Sequence, residues 1–450
     1  MLNLLWSIGG FVVALGILVA VHEWGHFWVA RRCGVKVHRF SIGFGKTLWS
    51  RTDKLGTEFV IAAIPLGGYV KMLDERVDEV SEAELSMAFN RQHVLKRIAI
   101  IAAGPLVNFI FAVFALYLMF LIGVPSVKPM LAEPKADSIV ARAGIPAGAI
   151  ISQIGERQTL DWEEVNLELM SFIGKSAIPV RWRDPQTQVE RLTVLDSTAW
   201  QFDPETSSAI SSLGFSMYRP AILPVLGSVV KNSAADLLGL QVGDKILRLD
   251  GTSVENWKQI VDYVSQRPGE AIDVEVERQG QQLTLSGHIG HRSENGVSRG
   301  YMGFTPTLDA WPEGLLFDYQ YGLLDSVGKA LDKTWRLMTL SLEMLAKLFT
   351  GDVSVKNLSG PISIAQGAGM SASSGLVYFL SFLALISVNL GIINLLPLPV
   401  LDGGHLLYYF IELLSGRPVP ESVQEIGFKI GGFILLLLMS IAIVNDITRL

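Results

Sequence analysis

Long runs of uncharged, apolar residues alternate with polar stretches along this chain, and four of the runs are long enough to form membrane-spanning helices. A hydrocarbon core about 30 Å thick needs roughly 20 apolar residues in a helix. The predicted spans cover residues 1–30, 98–124, 358–402 and 428–447. The first run lacks the basic start and the small-residue cleavage site of a signal peptide, so it is interpreted as a span and not as a cleaved leader.

Lysines and arginines crowd the segment of residues 31–97, between the first two predicted spans. The positive-inside rule therefore predicts that this loop is cytoplasmic. Both termini and residues 125–357 then lie on the periplasmic side of a bacterial inner membrane, and residues 403–427 form a second cytoplasmic loop.

Between residues 125 and 309 the chain becomes polar, with alternating stretches such as 271–277 that are typical of strands. A shift of 95 positions superimposes four pairs of identical residues, which are Ser138 and Ser233, Gly144 and Gly239, Gly148 and Gly243, and Trp162 and Trp257. Such self-similarity indicates an internal repeat. We predict two similar domains, at residues 125–221 and 222–309.

The second copy, from Ala234 to Ile246 and on to a helix near Trp257, resembles a PDZ domain; the first copy, from Ala141 to Ile154, is a weaker match. The resemblance implies grooves that accept extended peptides, such as free C-termini, by strand addition. Phe215 and Phe304 follow the glycines expected beside the two grooves. The alternative is a pair of spacer domains whose grooves are closed or unused.

Residues 310–357 include an amphipathic pattern, with Val327, Leu331 and Trp335 at four-residue steps. The pattern predicts a helix. Periodicity alone leaves open whether this helix lies on the membrane surface or packs against the paired domains.

Composition narrows the classes of function. The chain is 50% hydrophobic and 18% charged, with a formal net charge of −6. Nucleic-acid binding is excluded, because neutralising phosphates requires a basic surface. Cys33 is the single cysteine, so an intrachain disulfide is impossible, and any metal must be held by histidines and carboxylates.

The sequence His22-Glu23-Trp24-Gly25-His26 lies at the end of the first apolar run and has the form H-E-x-x-H. Histidines one helical turn apart can both present a ring nitrogen to one Zn²⁺ ion. Glu23 is then the candidate general base, because it lies beside the metal and can take a proton from an attacking water. The alternative is a polar patch that only anchors the helix at the interface.

Two histidines leave zinc without a third protein ligand. The end of the third span is the candidate source, since Pro397 and Pro399 interrupt regular helix there and irregular backbone at membrane depth is tolerated where it lines a cavity. Asp402 is the first charged residue after a 45-residue uncharged stretch and is the predicted third ligand. His405 is the alternative.

Together, H-E-x-x-H in the first span, N-x-x-P-x-P-x-x-D-G-G from Asn394 to Gly404, and the PDZ-like copies resemble the site-2 protease family of intramembrane zinc proteases. The resemblance implies that His22, His26 and Asp402 hold Zn²⁺ and that Glu23 is catalytic. It also implies a site inside the membrane, toward its cytoplasmic side. The expected substrates are single-span membrane proteins, often already trimmed by another protease, among them an anti-sigma factor of an envelope stress response.

Gly67, Gly68 and Tyr69 fall in a stretch that resembles the family's membrane-associated β-hairpin region, which is thought to receive an extended substrate strand. A protease needs its substrate unwound, because a helix hides the scissile carbonyl in its own hydrogen bonds. Asn389 and Asn394 are further candidates for binding substrate backbone. Plain interhelical hydrogen bonding is the alternative for both.

The sequence thus predicts a multi-pass α-helical membrane protein with two tandem periplasmic PDZ domains and a membrane-associated β-hairpin. Its predicted activity is that of a zinc endopeptidase. A membrane scaffold or chaperone with a non-hydrolytic zinc site is the rival. A metal transporter is disfavoured, because the second and fourth spans lack a path of carboxylates or histidines.

Overall fold

A computed structural model describes residues 2–202, 207–294, 297–351 and 353–449. Its helices are α1 (Leu2–Arg32), α2 (Val94–Ile122), α3 (Ile139–Arg142), α4 (Trp162–Ser171), α5 (Ala209–Leu213), α6 (Ala234–Leu237), α7 (Trp257–Ser265), α8 (Leu323–Thr350), α9 (Pro361–Ser374), α10 (Leu376–Leu395), α11 (Asp402–Ser415) and α12 (Glu421–Thr448). Its strands are β1 (Val37–Thr52), β2 (Glu58–Met72), β3 (Val124–Val127), β4 (Ile150–Ile154), β5 (Arg157–Gln158), β6 (Ala177–Arg183), β7 (Glu190–Asp196), β8 (Ile222–Val229), β9 (Lys245–Leu249), β10 (Thr252–Ser253), β11 (Ala271–Arg278), β12 (Gln281–His288), β13 (Gly290–Glu294), β14 (Val297–Tyr301), β15 (Phe304–Leu308) and β16 (Leu316–Tyr319).

The predicted number of spans is confirmed among the described residues. The helices α1, α2, α10 and α12 are long and apolar enough to cross a membrane. In α1, α2 and α10, 33–39% of the most apolar stretch of the helix is buried by other parts of the protein. In α12 the buried share is only 11%. The first three spans therefore carry most of the packing within the membrane, and α12 lies at the periphery.

Two predicted segments differ from the structure. Residues 358–402 form two helices, α9 and α10, and not one span, because Gly375 separates them with φ 118°, a backbone angle that residues with a side chain rarely adopt. Residues 403–427, predicted as a loop, are mostly helical, because 403–415 lie in α11, which buries Leu406 and Tyr408, and 421–427 begin α12. At 14 residues α11 is too short to be recognised as a span by its apolar length.

The chain divides into two compact units. One contains Met1–Pro129, Pro134–Ser216 and Phe317–Leu450, and the other contains Met130–Glu133 and Met217–Leu316. The first unit holds the spans and the sheet of the first sequence repeat, with strand order β5-β4-β6-β7. The second unit holds the sheet of the second repeat, with strand order β12-β11-β9-β8-β15 and β10 paired to β9.

The two repeats share one order of four strands, β5-β4-β6-β7 in the first and β10-β9-β11-β12 in the second, and they also share one local arrangement. In each, a glycine with positive φ lies against a serine, and the phenylalanine after it contacts the ring of a tryptophan that begins a helix. These residues are Gly214, Ser138, Phe215 and Trp162 in the first copy, and Gly303, Ser233, Phe304 and Trp257 in the second. The repeat found in the sequence is therefore a structural repeat.

The predicted amphipathic helix is α8, which packs against spans. Ala330 and Leu337 are buried in a cluster with apolar residues of α2 and α10. On another side, Arg336 forms a 2.6 Å ion pair with Glu168 of α4, in the first repeat. Trp335 remains 61% exposed. The helix thus joins the membrane helices to the first copy.

The segment of residues 31–97 contains the predicted β-rich region, formed by β1 and β2. This hairpin packs on α1 through aromatic rings, with Phe27 5.5 Å from Phe40 and 5.4 Å from Phe59 between ring centroids. The contact holds the hairpin beside the half of α1 that carries the candidate metal ligands.

Candidate metal centre

His22 and His26 lie one turn apart in α1, within the apolar stretch that is long enough to cross the membrane. Their Nε2 atoms are 3.2 Å apart. The side chains are only 12% and 8% exposed. Burying two imidazoles at membrane depth is costly unless they bind a partner, so this pair is a functional site by default.

Asp402 joins the two histidines as the sequence predicts. Its Oδ2 atom lies 3.2 Å from His22 Nε2 and 3.4 Å from His26 Nε2. The tight turn that brings it there requires glycines after it, because a Cβ would lie 2.2 Å from the Leu396 oxygen at Gly403 and 2.3 Å from Pro399 Cα at Gly404. The D-G-G sequence is thus explained by close packing.

The three donor atoms fit a zinc ion. Zinc bonds to nitrogen and oxygen are about 2.0–2.1 Å long, so ligands at neighbouring corners of a tetrahedron are roughly 3.3 Å apart. The observed separations of 3.2, 3.2 and 3.4 Å agree with this spacing. Asp402 Oδ2 is buried and has no hydrogen-bond partner among the described residues, as expected for an atom whose partner is a metal. Three protein ligands leave a fourth position open, which is typical of catalytic zinc.

Backbone and side-chain contacts orient both rings. His26 Nδ1 donates a 2.9 Å hydrogen bond to the carbonyl of Ile100, so its Nε2 atom is left for the metal. His22 Nδ1 lies 3.0 Å from Asn108 Nδ2. Both partners are in α2, which therefore acts as the outer support of the site.

Sequence reasoning missed the contribution of α2. Asn108 is a polar residue in an otherwise apolar span, and this is the signal that was available. Gly104, one turn earlier, has no such signal, since its role depends on how closely α2 approaches α1. A Cβ at Gly104 would lie 2.3 Å from His26 Nε2 and 2.9 Å from His22 Cε1.

We expect Gly104→Ala to abolish zinc binding, because the added methyl group would occupy the space of the ligand nitrogens. Zinc per protein, measured by elemental analysis of the purified variant, checks this. Gly16→Ala in α1 is the matched control, since a Cβ there meets nothing within 4 Å. Full zinc content in Gly104→Ala would contradict the described approach of the two helices.

His405, the alternative third ligand, is outside the group of donor atoms that lie within 4.8 Å of one another among the described residues. Its ring packs on Phe428 of α12, with the centroids 5.3 Å apart. The geometry therefore favours Asp402 as the third ligand.

Glu23 lies beside the β-hairpin. A Cβ at Gly68 would be 2.9 Å from Glu23 Cγ and 2.6 Å from the Ser41 oxygen, so only glycine permits this approach of β2 to α1. The candidate base is therefore flanked by histidine ligands on its own helix and by the backbone of β2.

Residues 68–72 form an edge of the hairpin sheet. Ser41 of β1 pairs with both Tyr69 and Val60, so it is interior, whereas Tyr69 has Ser41 as its single strand partner. Gly67 precedes this edge with φ 150° and lies against the ring of Phe44. An edge strand presents unpaired backbone groups to which another chain can add.

Asn389 and Asn394 occupy different surroundings. The Oδ1 atom of Asn389 accepts a 2.7 Å hydrogen bond from Ser341 of α8, which is the interhelical bonding considered as the alternative. Asn394 lies in the last turn of α10, directly before the irregular segment that leads to Asp402. A substrate contact by either residue stays a prediction.

The two groove phenylalanines also differ. Phe215 is 3% exposed, and its ring packs on that of Trp162. Phe304 is partly buried and begins β15, which lies at an edge of its sheet. Residues directly after Phe215 form no comparable strand. A peptide groove of the predicted kind is thus better developed in the second copy.

Two histidines on a span-length helix, an aspartate beside them and a glutamate next to the first histidine form the arrangement expected of a zinc metalloprotease. Residues 10–438 match peptidase family M50, and the chain belongs to this family, the site-2 proteases. It is accordingly a zinc metalloprotease, with Zn²⁺ as its cofactor.

Individual relatives are similar over their full length. The chain is 51% identical over 450 residues to "Regulator of sigma-E protease RseP" of Salmonella typhimurium and to the protein of that name in Escherichia coli K12, covering 100% of each chain. It is 47% identical over 449 residues to "Regulator of sigma E protease" of Haemophilus influenzae, again covering 100% of both chains. Among solved structures, the PDZ domain of an SdrC-like protein from Listeria monocytogenes covers 20% of this chain and 92% of its own, at 16% identity and a TM-score of 0.17.

Proposed function

We propose that this protein cleaves single-span membrane proteins within or beside the bilayer, and that an anti-sigma factor of an envelope stress response is its substrate. The observation that carries the proposal is the position of the ligand set, two of whose members lie inside a span-length apolar helix. The names of the relatives, which refer to regulation of sigma-E, support the choice of substrate.

In the proposed reaction, Glu23 carries one proton from the attacking water to the leaving amine. His22, His26 and Asp402 hold Zn²⁺, which when bound polarises the scissile carbonyl and favours attack by water. Glu23 accepts the proton that the attacking water loses, and then delivers it to the nitrogen of the leaving amine as the C–N bond breaks. The surrounding helices limit the access of bulk water, which strengthens these electrostatic interactions.

The proposed substrate-binding element is the edge of residues 68–72. A helical segment entering the site must unwind, and its freed N–H and C=O groups then need partners in an apolar environment. Strand addition to this edge supplies such partners and holds the substrate backbone beside Glu23, whose Cγ lies against Gly68. Gly67, Gly68 and Tyr69 are accordingly assigned to substrate binding.

We further propose that the two PDZ-like copies divide their roles. In the first copy, α4 is bound to α8 by Lys333 with Glu163 at 3.0 Å and by Arg336 with Glu168 at 2.6 Å. The positions 95 residues later, Lys258 and Tyr263, lack the acidic groups these ion pairs need. The first copy thus serves as a fixed support, and the second copy, with the edge strand β15, serves in recognising or excluding substrates.

The proposed setting is a bacterial inner membrane, with the termini and both copies periplasmic and the metal centre toward the cytoplasmic side. The basic residues of the hairpin segment support this orientation. Membership of a peptidase family argues against the scaffold with a non-hydrolytic zinc site. The composition gives no support for a nucleic-acid partner.

Excision of the second copy tests the selection of substrates. Asp309 N donates a 2.8 Å hydrogen bond to the Ala221 oxygen, so residues 222–308 can be replaced by two glycines with little strain. Wild type is expected to cut a single-span substrate with a short periplasmic tail at least about 10-fold faster than the same span with a folded periplasmic domain, a discrimination of about 1.4 kcal/mol.

The excised protein should cut both substrates at similar rates, as followed by gel analysis of the products. The full-length Glu23→Gln variant gives the background rate of cleavage. Unchanged discrimination after excision would contradict the selecting role. Loss of cleavage of the short substrate, with zinc still bound, would mean that the second copy takes part in the reaction itself.

A further inference from the structure

Asn108 is a fully buried polar residue in the middle of α2, between α1 and α10. Its Nδ2 atom is 3.0 Å from His22 Nδ1, and its backbone carbonyl accepts a 2.8 Å hydrogen bond from Ser387 of α10. Its Oδ1 atom is buried without a hydrogen-bond partner among the described residues. Leaving a buried amide oxygen without a partner is destabilising, so a further reason for its presence is expected.

The chemistry of the neighbouring imidazole supplies a reason. His22 Nε2 is the atom that faces His26 and Asp402, and a ring nitrogen that binds a metal carries no proton. A neutral imidazole then keeps its proton on Nδ1, which needs an acceptor. The side chain of Asn108 lies within hydrogen-bonding distance of Nδ1. Its Nδ2 and Oδ1 atoms exchange places by a half-turn of the carboxamide, and only Oδ1 can accept.

We propose that Asn108 is a positioning residue that holds His22 in the zinc-binding tautomer, by accepting the Nδ1 proton at Oδ1. Ser387 fixes the segment of α2 that carries it. Outer partners of this kind orient a ligand and raise its basicity, and their loss typically costs 10–100-fold in metal affinity. The inference rests on the zinc site and is independent of which substrate is cut.

Asparagine, aspartate and leucine are nearly the same size, so comparing them at position 108 distinguishes this role from a packing role. Asn108→Asp keeps an acceptor at His22 Nδ1, whereas Asn108→Leu keeps the volume and removes the acceptor. The positioning role predicts that the leucine variant binds zinc about 10–100-fold more weakly and that the aspartate variant binds it as tightly as wild type or more tightly. A packing role predicts the opposite order, because a carboxylate is costly to bury and leucine is not.

Competition with a chelator of known zinc affinity, on the full-length proteins in detergent, gives the dissociation constants without reference to cleavage. Absorption spectra of the Co²⁺-loaded proteins report the ligand field directly, and a shift is expected for Asn108→Leu alone. Asn445→Leu is the matched control, since Asn445 is also buried in a span but donates to the backbone oxygens of Val355 and Leu358.

Retention of wild-type zinc affinity in Asn108→Leu would overturn the proposal. So would an equal loss in Asn108→Leu and Asn445→Leu, since this would attribute the effect to general loosening of the helices. If zinc affinity follows the predicted order but no variant cleaves a substrate, the proteolytic function fails and the positioning role of Asn108 stands.

Discussion

Glu23→Gln is expected to reduce cleavage by about 10²–10⁴-fold while zinc stays bound, since this is the usual contribution of a general acid–base group. Glutamine has nearly the same shape, so the contact of Gly68 with the Cγ atom at position 23 is retained. The glutamine side chain cannot take the proton of the attacking water. Initial rates with a single-span substrate, together with zinc per protein, check the prediction.

A second glutamate provides the control for this substitution. Glu425 in α12 has a 68% exposed side chain and pairs with Lys429 at the surface, where ion pairs contribute little. Glu425→Gln should cleave at the wild-type rate. Cleavage by Glu23→Gln within a few fold of wild type would exclude Glu23 as the base.

Asp402→Asn is expected to weaken zinc binding by more than about 100-fold, because Asp402 is proposed to contact the metal directly and the change removes its charge. Loss of a residue that only orients a ligand typically costs up to about 100-fold, so loss of a ligand should cost more. His405→Ala should weaken zinc binding far less, since that ring packs on Phe428 and lies outside the group of donor atoms. Chelator competition measures both constants. The reverse order would assign the third ligand position to His405.

Local patterns were sufficient to predict the candidate metal ligands, because each of them is marked by its own neighbours in the sequence. His22 and His26 share one helical turn, and Asp402 stands at the end of a long uncharged run, so length, spacing and charge identified them. The same criteria found the four spans, because the hydrophobic effect acts on every residue of a span.

Contacts between distant segments could not be predicted in this way. The role of Gly104 depends on the closeness of α1 and α2, and that of Asn108 depends on which way a ring 86 positions away is turned. The burial of Phe215 likewise depends on its contact with Trp162. A search for polar residues in all spans would have found Asn108, but no pattern in the sequence marks Gly104.

The central proposal is that the zinc centre hydrolyses a peptide bond of a single-span protein within or beside the membrane. Its most direct test is mass spectrometry of the products formed from a single-span substrate, reconstituted in vesicles with zinc-quantified wild type or Glu23→Gln. We predict one cut, within the spanning segment or directly beside it, by wild type and none by the variant at equal zinc content. A cut far from the span, or the same product from both proteins, would contradict the proposal.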